Sequence, residues 1–176
     1  MSVQAGGGVE GYTGDLAPQI QPGFGYGAQV LFKPTPIVGI EVAYSGAVNE
    51  VDVGLEQELG ATSGADLVRN GGSAAATIAF VNGPVQPYVL GGIGFSHYNA
   101  RGDTENFGFQ NDTGGNVPLG VGIRGYAGGF VADLRGQYSV LFDHEFAPNV
   151  EPVDVAGINS ITAGRYSGTL NLGYIF

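Results

Sequence analysis

The chain has 176 residues, 12% of them charged and 33 of them Gly, and a net charge of −10. Soluble domains carry about 25% charged residues and about 7% Gly, so an ordinary water-facing domain is a poor fit. The six basic residues argue against a nucleic-acid partner, the lack of Cys excludes disulfides and thiolate metal sites, and 43% hydrophobic residues are too many for a disordered chain.

No run reaches the roughly 18 apolar residues that a membrane helix needs. An apolar, weakly charged chain without such a run fits a membrane β-barrel. Met1-Ser2 leads straight into a strand-like pattern with no signal peptide. An exported barrel needs a signal, so Met1 reads as an added start on a mature sequence.

Eight segments alternate apolar and polar residues as strands do. The first, Val3–Tyr12, is rich in Gly. Gly23–Phe32 puts Phe24, Tyr26, Ala28, Val30 and Phe32 on one face. Ile37–Val48 groups Val38, Ile40, Val42 and Tyr44, and Leu67–Val81 groups Ala74, Ala76, Ile78 and Phe80. Val85–Tyr98 is apolar on both faces, with Val89, Ile93 and Phe95 expected outward. Val117–Tyr126 groups Val117, Leu119, Val121 and Ile123, and Phe130–Phe142 groups Ala132, Leu134, Tyr138 and Val140. Tyr166–Phe176 closes the series with Leu170, Leu172, Tyr174 and Phe176 on one face.

Connections alternate in length. Lys33-Pro34-Thr35-Pro36, Asn82-Gly83-Pro84 and Ala127-Gly128-Gly129 are short and made of turn formers. Gly14–Pro22, Asn49–Asp66, Asn99–Asn116 and Asp143–Arg165 are long. Short turns at one rim and long loops at the other predict periplasmic turns and extracellular loops, with both termini on the short-turn side.

Of the sixteen acids, Asp15, Glu50, Asp52, Glu56, Glu58, Asp66, Asp103, Glu105, Asp112, Asp143, Glu145, Glu151 and Asp154 fall in the long connections. The outer rim is therefore expected to be negative. Such acids keep an exposed surface soluble. Asp103/Glu105 or Asp143/Glu145 are also carboxylate pairs of the kind divalent cations take near lipopolysaccharide, although no segment has EF-hand spacing.

Glu10, Glu41 and Asp133 remain in strands, with Arg69, Arg124 and Arg135. Parity turns all six away from the apolar face and into the barrel, three acids against three bases. An eight-stranded barrel is just wide enough for side chains to fill, and buried charges need partners. A salt-bridged, plugged interior is expected. The tight turn after the sixth strand admits two registers. A four-residue loop, Ala127 to Phe130, sets Arg124 opposite Asp133 and Gly122 opposite Arg135. A two-residue turn at Ala127-Gly128 sets Gly122 opposite Asp133. In either, Arg124 reaches Asp133, and Glu41 can share the cluster.

The terminal pattern ending in Phe176 resembles the assembly signal of bacterial outer-membrane barrels. The chain as a whole resembles the transmembrane domain of the OmpA-like family of small eight-stranded barrels. The resemblance is most specific at Gln86-Pro87-Tyr88-Val89-Leu90-Gly91-Gly92-Ile93-Gly94-Phe95, at Gly120-Val121-Gly122-Ile123-Arg124 leading to Leu134-Arg135-Gly136-Gln137-Tyr138, and at the terminal aromatic. It implies a single outer-membrane domain over 1–176, an all-β antiparallel up-and-down barrel, a polar ion-paired interior and no cofactor. It also implies an assembly role for Tyr174 and Phe176, and as partners outer-membrane lipid, lipopolysaccharide and the barrel-assembly machinery. Larger family members continue into a periplasmic peptidoglycan-binding domain, so the chain is expected to be a stand-alone or excised barrel.

Three rival functions have weaker support. Some eight-stranded barrels deacylate lipopolysaccharide with a His-x-Ser pair, but here Ser96 and His97 are adjacent and face opposite ways, while His144 lies between Asp143 and Glu145. A channel for small or hydrophobic solutes would need an apolar path past six charges, with Tyr88 and Leu90 facing in. A lipocalin-type barrel would place its apolar residues inside, and the chain has no Trp for the usual signature. Pro118-Leu119-Gly120-Val121-Gly122 lacks the Lys-Ser/Thr of a phosphate loop.

Overall fold

A computed structural model describes residues 1–14, 17, 20–51, 65–101, 112–142, 153–155 and 158–176. Its strands are β1 (Ser2–Thr13), β2 (Gly23–Phe32), β3 (Val38–Val51), β4 (Ala65–Ala79), β5 (Val85–Arg101), β6 (Asp112–Ala127), β7 (Phe130–Phe142), β8 (Val153–Val155) and β9 (Ile158–Ile175). Each of β1 to β7 pairs antiparallel with the next, β7 pairs with β9, and β9 pairs with β1. This closes an eight-stranded barrel without a free edge, the only way a sheet crosses lipid with every backbone group satisfied. Strand β8 is a three-residue partner of the outer part of β9. At the seam the Phe176 amide donates to the Met1 carbonyl at 2.8 Å, so both ends of the chain lie at the short-turn rim.

Four expected loop segments are partly strand. Glu50, Asp66, Asp112 and Asp154 lie in β3, β4, β6 and β8 rather than in connections, and β9 begins at Ile158 rather than Tyr166. Beyond the lipid zone both faces of a strand meet water, so the ladder continues without apolar alternation. Asp15, Asp52, Glu56, Glu58, Asp103, Glu105, Asp143, Glu145 and Glu151, with His144, lie outside the described residues.

The outward set is apolar. Val42, Ile93, Val121, Leu134 and Leu172 are among its exposed residues. Aromatic residues border this band. Tyr26, Tyr44, Phe95, Tyr138 and Tyr166 stand toward the long-loop end, and Phe32, Phe80, Phe130, Tyr174 and Phe176 toward the short turns. Phe130 to Tyr138 spans about 26 Å along the strand at ~3.3 Å per residue. That is about 20 Å along the axis at ~40° tilt, near the height of the apolar band of membrane barrels. At the lower border Tyr174 packs edge-on against both Phe130 (5.7 Å between ring centroids) and Phe176 (5.3 Å).

At the upper border several rings lie over a glycine of the neighbouring strand: Tyr26 over Gly46, Phe95 over Gly72, Tyr166 over Gly11 and Phe142 over Gly115. Tyrosine hydroxyls make polar contacts at that level. Tyr44 donates to Asn70 Oδ1 at 2.6 Å, and Tyr26 to the same oxygen at 3.4 Å. Such placement suits rings that bridge lipid and water.

Candidate functional site: the polar lumen

Among the described residues the inward face holds seven buried charged residues, Glu10, Glu41, Arg69, Arg124, Asp133, Arg135 and Arg165. The turn between β6 and β7 is Gly128-Gly129, with Ala127 opposite Phe130. Gly128 sits at φ 60°, a conformation that glycine adopts cheaply and that a two-residue hairpin turn needs. Of the two registers this selects the one with Arg124 opposite Asp133 and Gly122 opposite Arg135.

An inner cluster forms there. Asp133 is fully buried. Arg124 Nε donates to its Oδ2 at 2.9 Å, and the Tyr88 hydroxyl donates to its Oδ1 at 2.7 Å. Arg135 holds both oxygens of Glu41 at 2.7 Å, and its Nε donates to the Tyr88 hydroxyl at 2.9 Å. Arg124 Nη2 lies 3.7 Å from Glu41. The Arg124 guanidinium stacks 4.2 Å from the Tyr88 ring centre. A Cβ at Gly122 would strike this ring, so the glycine opposite is what admits it. Asp133 and two arginines thus meet at one tyrosine, with Glu41 held by Arg135, and each buried charge has an ionic partner.

An outer cluster lies toward the long loops. Arg69 grips Glu10 in a bidentate pair at 2.7 Å. Arg165 enters the same cluster, with Nε 3.5 Å from Glu10 Oε2 and its terminal nitrogens on the hydroxyls of Ser96 (3.1 Å), Tyr98 (3.3 Å) and Ser139 (3.4 Å). The expected three-against-three balance is therefore corrected: Arg165 faces inward from β9 and is buried. It shares parity with Ser167, Thr169 and Asn171, so one more residue of strand would have found it. Tyr12, Tyr88 and Tyr98 also face in and are buried. Tyr88 was legible by its parity with Leu90, whereas Tyr12 and Tyr98 stand at strand ends that sequence alone does not orient.

Between the clusters lies a cavity of about 70 Å³, lined by Glu10, Arg69, Arg135 and Arg165, by polar residues of β2, β3, β4, β7 and β9, and by Val9, Tyr26 and Tyr44. At the short-turn end Lys33 Nζ donates to Gln86 Oε1 at 2.6 Å, with the ammonium 5.3 Å from the Tyr126 ring centre. Burial, and then the charge of Arg124, lower the Lys33 pKa from its ordinary value.

Ser96 is buried and His97 exposed, on opposite faces of β5. His97 Nδ1 is 2.6 Å from Thr113 Oγ1. Ser139 contacts Arg165. Ser96 and His97 therefore do not meet as nucleophile and base. No group of three or more His, Cys, Asp or Glu able to hold a metal occurs among the described residues. The acidic pairs Asp103/Glu105 and Asp143/Glu145 lie outside them.

No family model matches the chain, and no curated protein matches it in sequence. Solved structures do. The crystal structure of Neisserial surface protein A has a TM-score of 0.65 at 13% identity, covering 99% of this chain and 96% of that one. Ail, the attachment invasion locus protein of Yersinia pestis, gives 0.57 at 14% identity over 98% and 95% of the two chains. Ail in complex with the heparin analogue sucrose octasulfate gives 0.59 at 13% identity over 98% and 96%. The chain has the fold of the small eight-stranded outer-membrane barrels.

Proposed function

We propose that this protein is a structural barrel of the bacterial outer membrane, closed to solutes by its own side chains, that serves envelope integrity or surface interaction and is not an enzyme. The observation that carries this is the pair of bidentate bridges, Arg69–Glu10 and Arg135–Glu41, which reach across the lumen between non-adjacent strands. A buried pair resists opening, because separating it strands charge away from water. The apolar outer face between two aromatic borders supports residence in lipid. Tyr174 and Phe176 are the segment that the barrel-assembly machinery would read.

Surface interaction would fall to the long connections, which carry most of the acids. Ail is named for attachment and invasion, and one of its structures holds a polyanion. The acidic connections here repel polyanions and favour basic partners, or lipopolysaccharide bridged by divalent cations.

Planar-bilayer recording of the refolded protein tests the closed lumen. No steady unitary conductance is expected. Regular conductance steps, or uptake of small solutes by liposomes carrying the protein, would overturn it in favour of a channel.

A further inference from the structure

We propose that the cavity between the two clusters binds one small monovalent anion, chloride in ordinary media, against Arg165. Among the described residues the lumen holds four arginines, Arg69, Arg124, Arg135 and Arg165, and three carboxylates, Glu10, Glu41 and Asp133. Of these seven, the four of the inner cluster balance, and the extra positive charge belongs to the outer three. Both Glu10 oxygens are already held by Arg69 at 2.7 Å. Arg165 meets that carboxylate only at 3.5 Å through Nε, and its other contacts are neutral hydroxyls. It is nonetheless only 5% exposed. A buried guanidinium with so little countercharge is costly.

The adjoining cavity has the chemistry to supply the missing charge. Three guanidinium groups line it against a single carboxylate, and the rest of its wall includes hydroxyl and amide donors such as Ser167, Thr169 and Asn171. Arg69 is matched by Glu10 and Arg135 by Glu41, which leaves Arg165 as the one unmatched charge of the wall, and one unmatched charge selects a monovalent anion. The volume, about 70 Å³, compares with about 10–15 Å³ for one water, so a halide fits together with water. Next to Arg165 across the β1–β9 seam, Tyr12 is buried with a hydroxyl that has no hydrogen-bond partner.

Crystals of the refolded protein soaked in bromide, read by anomalous scattering, test this directly. A peak inside the cavity in contact with Arg165 is expected. No peak, or peaks only at the protein surface, would overturn the proposal. In solution, the thermal midpoint in detergent is expected to be higher in sodium chloride than in sodium gluconate at equal ionic strength, and Arg165→Gln should abolish that difference. Equal midpoints for the unaltered protein, or a bromide peak that persists in Arg165→Gln, would count against it. If Arg165→Gln does not refold, the bromide and chloride measurements on the unaltered protein decide. Neither depends on whether the lumen conducts.

Discussion

Replacing Asp133 with Ala is the sharpest test of the inner cluster. Asp133 is fully buried and accepts from Arg124, Tyr88 and, at 3.4 Å, Arg135. Its removal leaves Arg124 and Arg135 facing Glu41 alone and takes the acceptor from the Tyr88 hydroxyl. Breaking a buried pair by deleting one partner costs about 3–5 kcal/mol. With a urea dependence of about 2 kcal/mol/M, the unfolding midpoint should fall by about 2 M. The assay is urea titration in detergent micelles, with the folded fraction read from the mobility of unboiled samples on a gel. Arg124→Ala in the Asp133→Ala background restores charge balance to the cluster, so the double mutant should recover part of the loss. Asp133→Asn keeps an acceptor for Tyr88 and should fall between. Additivity of the two single substitutions within about 0.5 kcal/mol would refute the pairing.

Arg at Val42, Ile78 or Leu172 should cost about 2–4 kcal/mol in a bilayer, whereas His97→Arg, at the upper border, should cost about 0–1 kcal/mol; equal costs by equilibrium unfolding would show that the depth assignment is wrong. Gly122→Ala pushes a methyl into the Tyr88 ring and should lose about 1–3 kcal/mol by overpacking, measured by the same titration. Deleting Phe176 should lower outer-membrane levels in cells while leaving refolding in detergent intact, and normal levels would remove its assembly role. The Lys33 ammonium is disfavoured in the folded state, by burial first and then by Arg124. The unfolded chain therefore binds more protons there, and this contribution to stability rises with pH through the lowered Lys33 pKa toward the ordinary value of about 10.4. The difference between the unaltered protein and Lys33→Met should grow in that window, and a flat difference would contradict it.

What the sequence disclosed follows from where lipid lies. Along β2, Phe24 to Phe32 alternate because one face meets lipid and the other a polar interior, and the same parity turned Glu41, Arg124 and Arg135 inward. Above the lipid that contrast disappears. Asp112-Thr113-Gly114-Gly115-Asn116 reads as loop yet forms the start of β6, and Arg165 was lost where β9 rises out of its apolar pattern. The β6–β7 register was not legible either. Both candidate turns are rich in Gly and small residues, and only the backbone at Gly128 separates them.

The ring-over-glycine pairs bear on how the sheet finds its alignment. Sliding one strand by a single residue would turn buried arginines outward into lipid, so odd errors are excluded by charge. A two-residue slide preserves the faces and escapes that check. It would bring Tyr26 against Tyr44 or Val48, Phe95 against Asn70 or Ala74, Tyr166 against Val9 or Thr13, and Phe142 against Thr113 or Val117. Every one of those neighbours carries a Cβ where the native partner has none. Each aromatic–glycine couple thus acts as a lock that seats at one alignment. One of them, Tyr166 on Gly11, lies on the β1–β9 seam, where the two ends of the chain must meet in register for the cylinder to close.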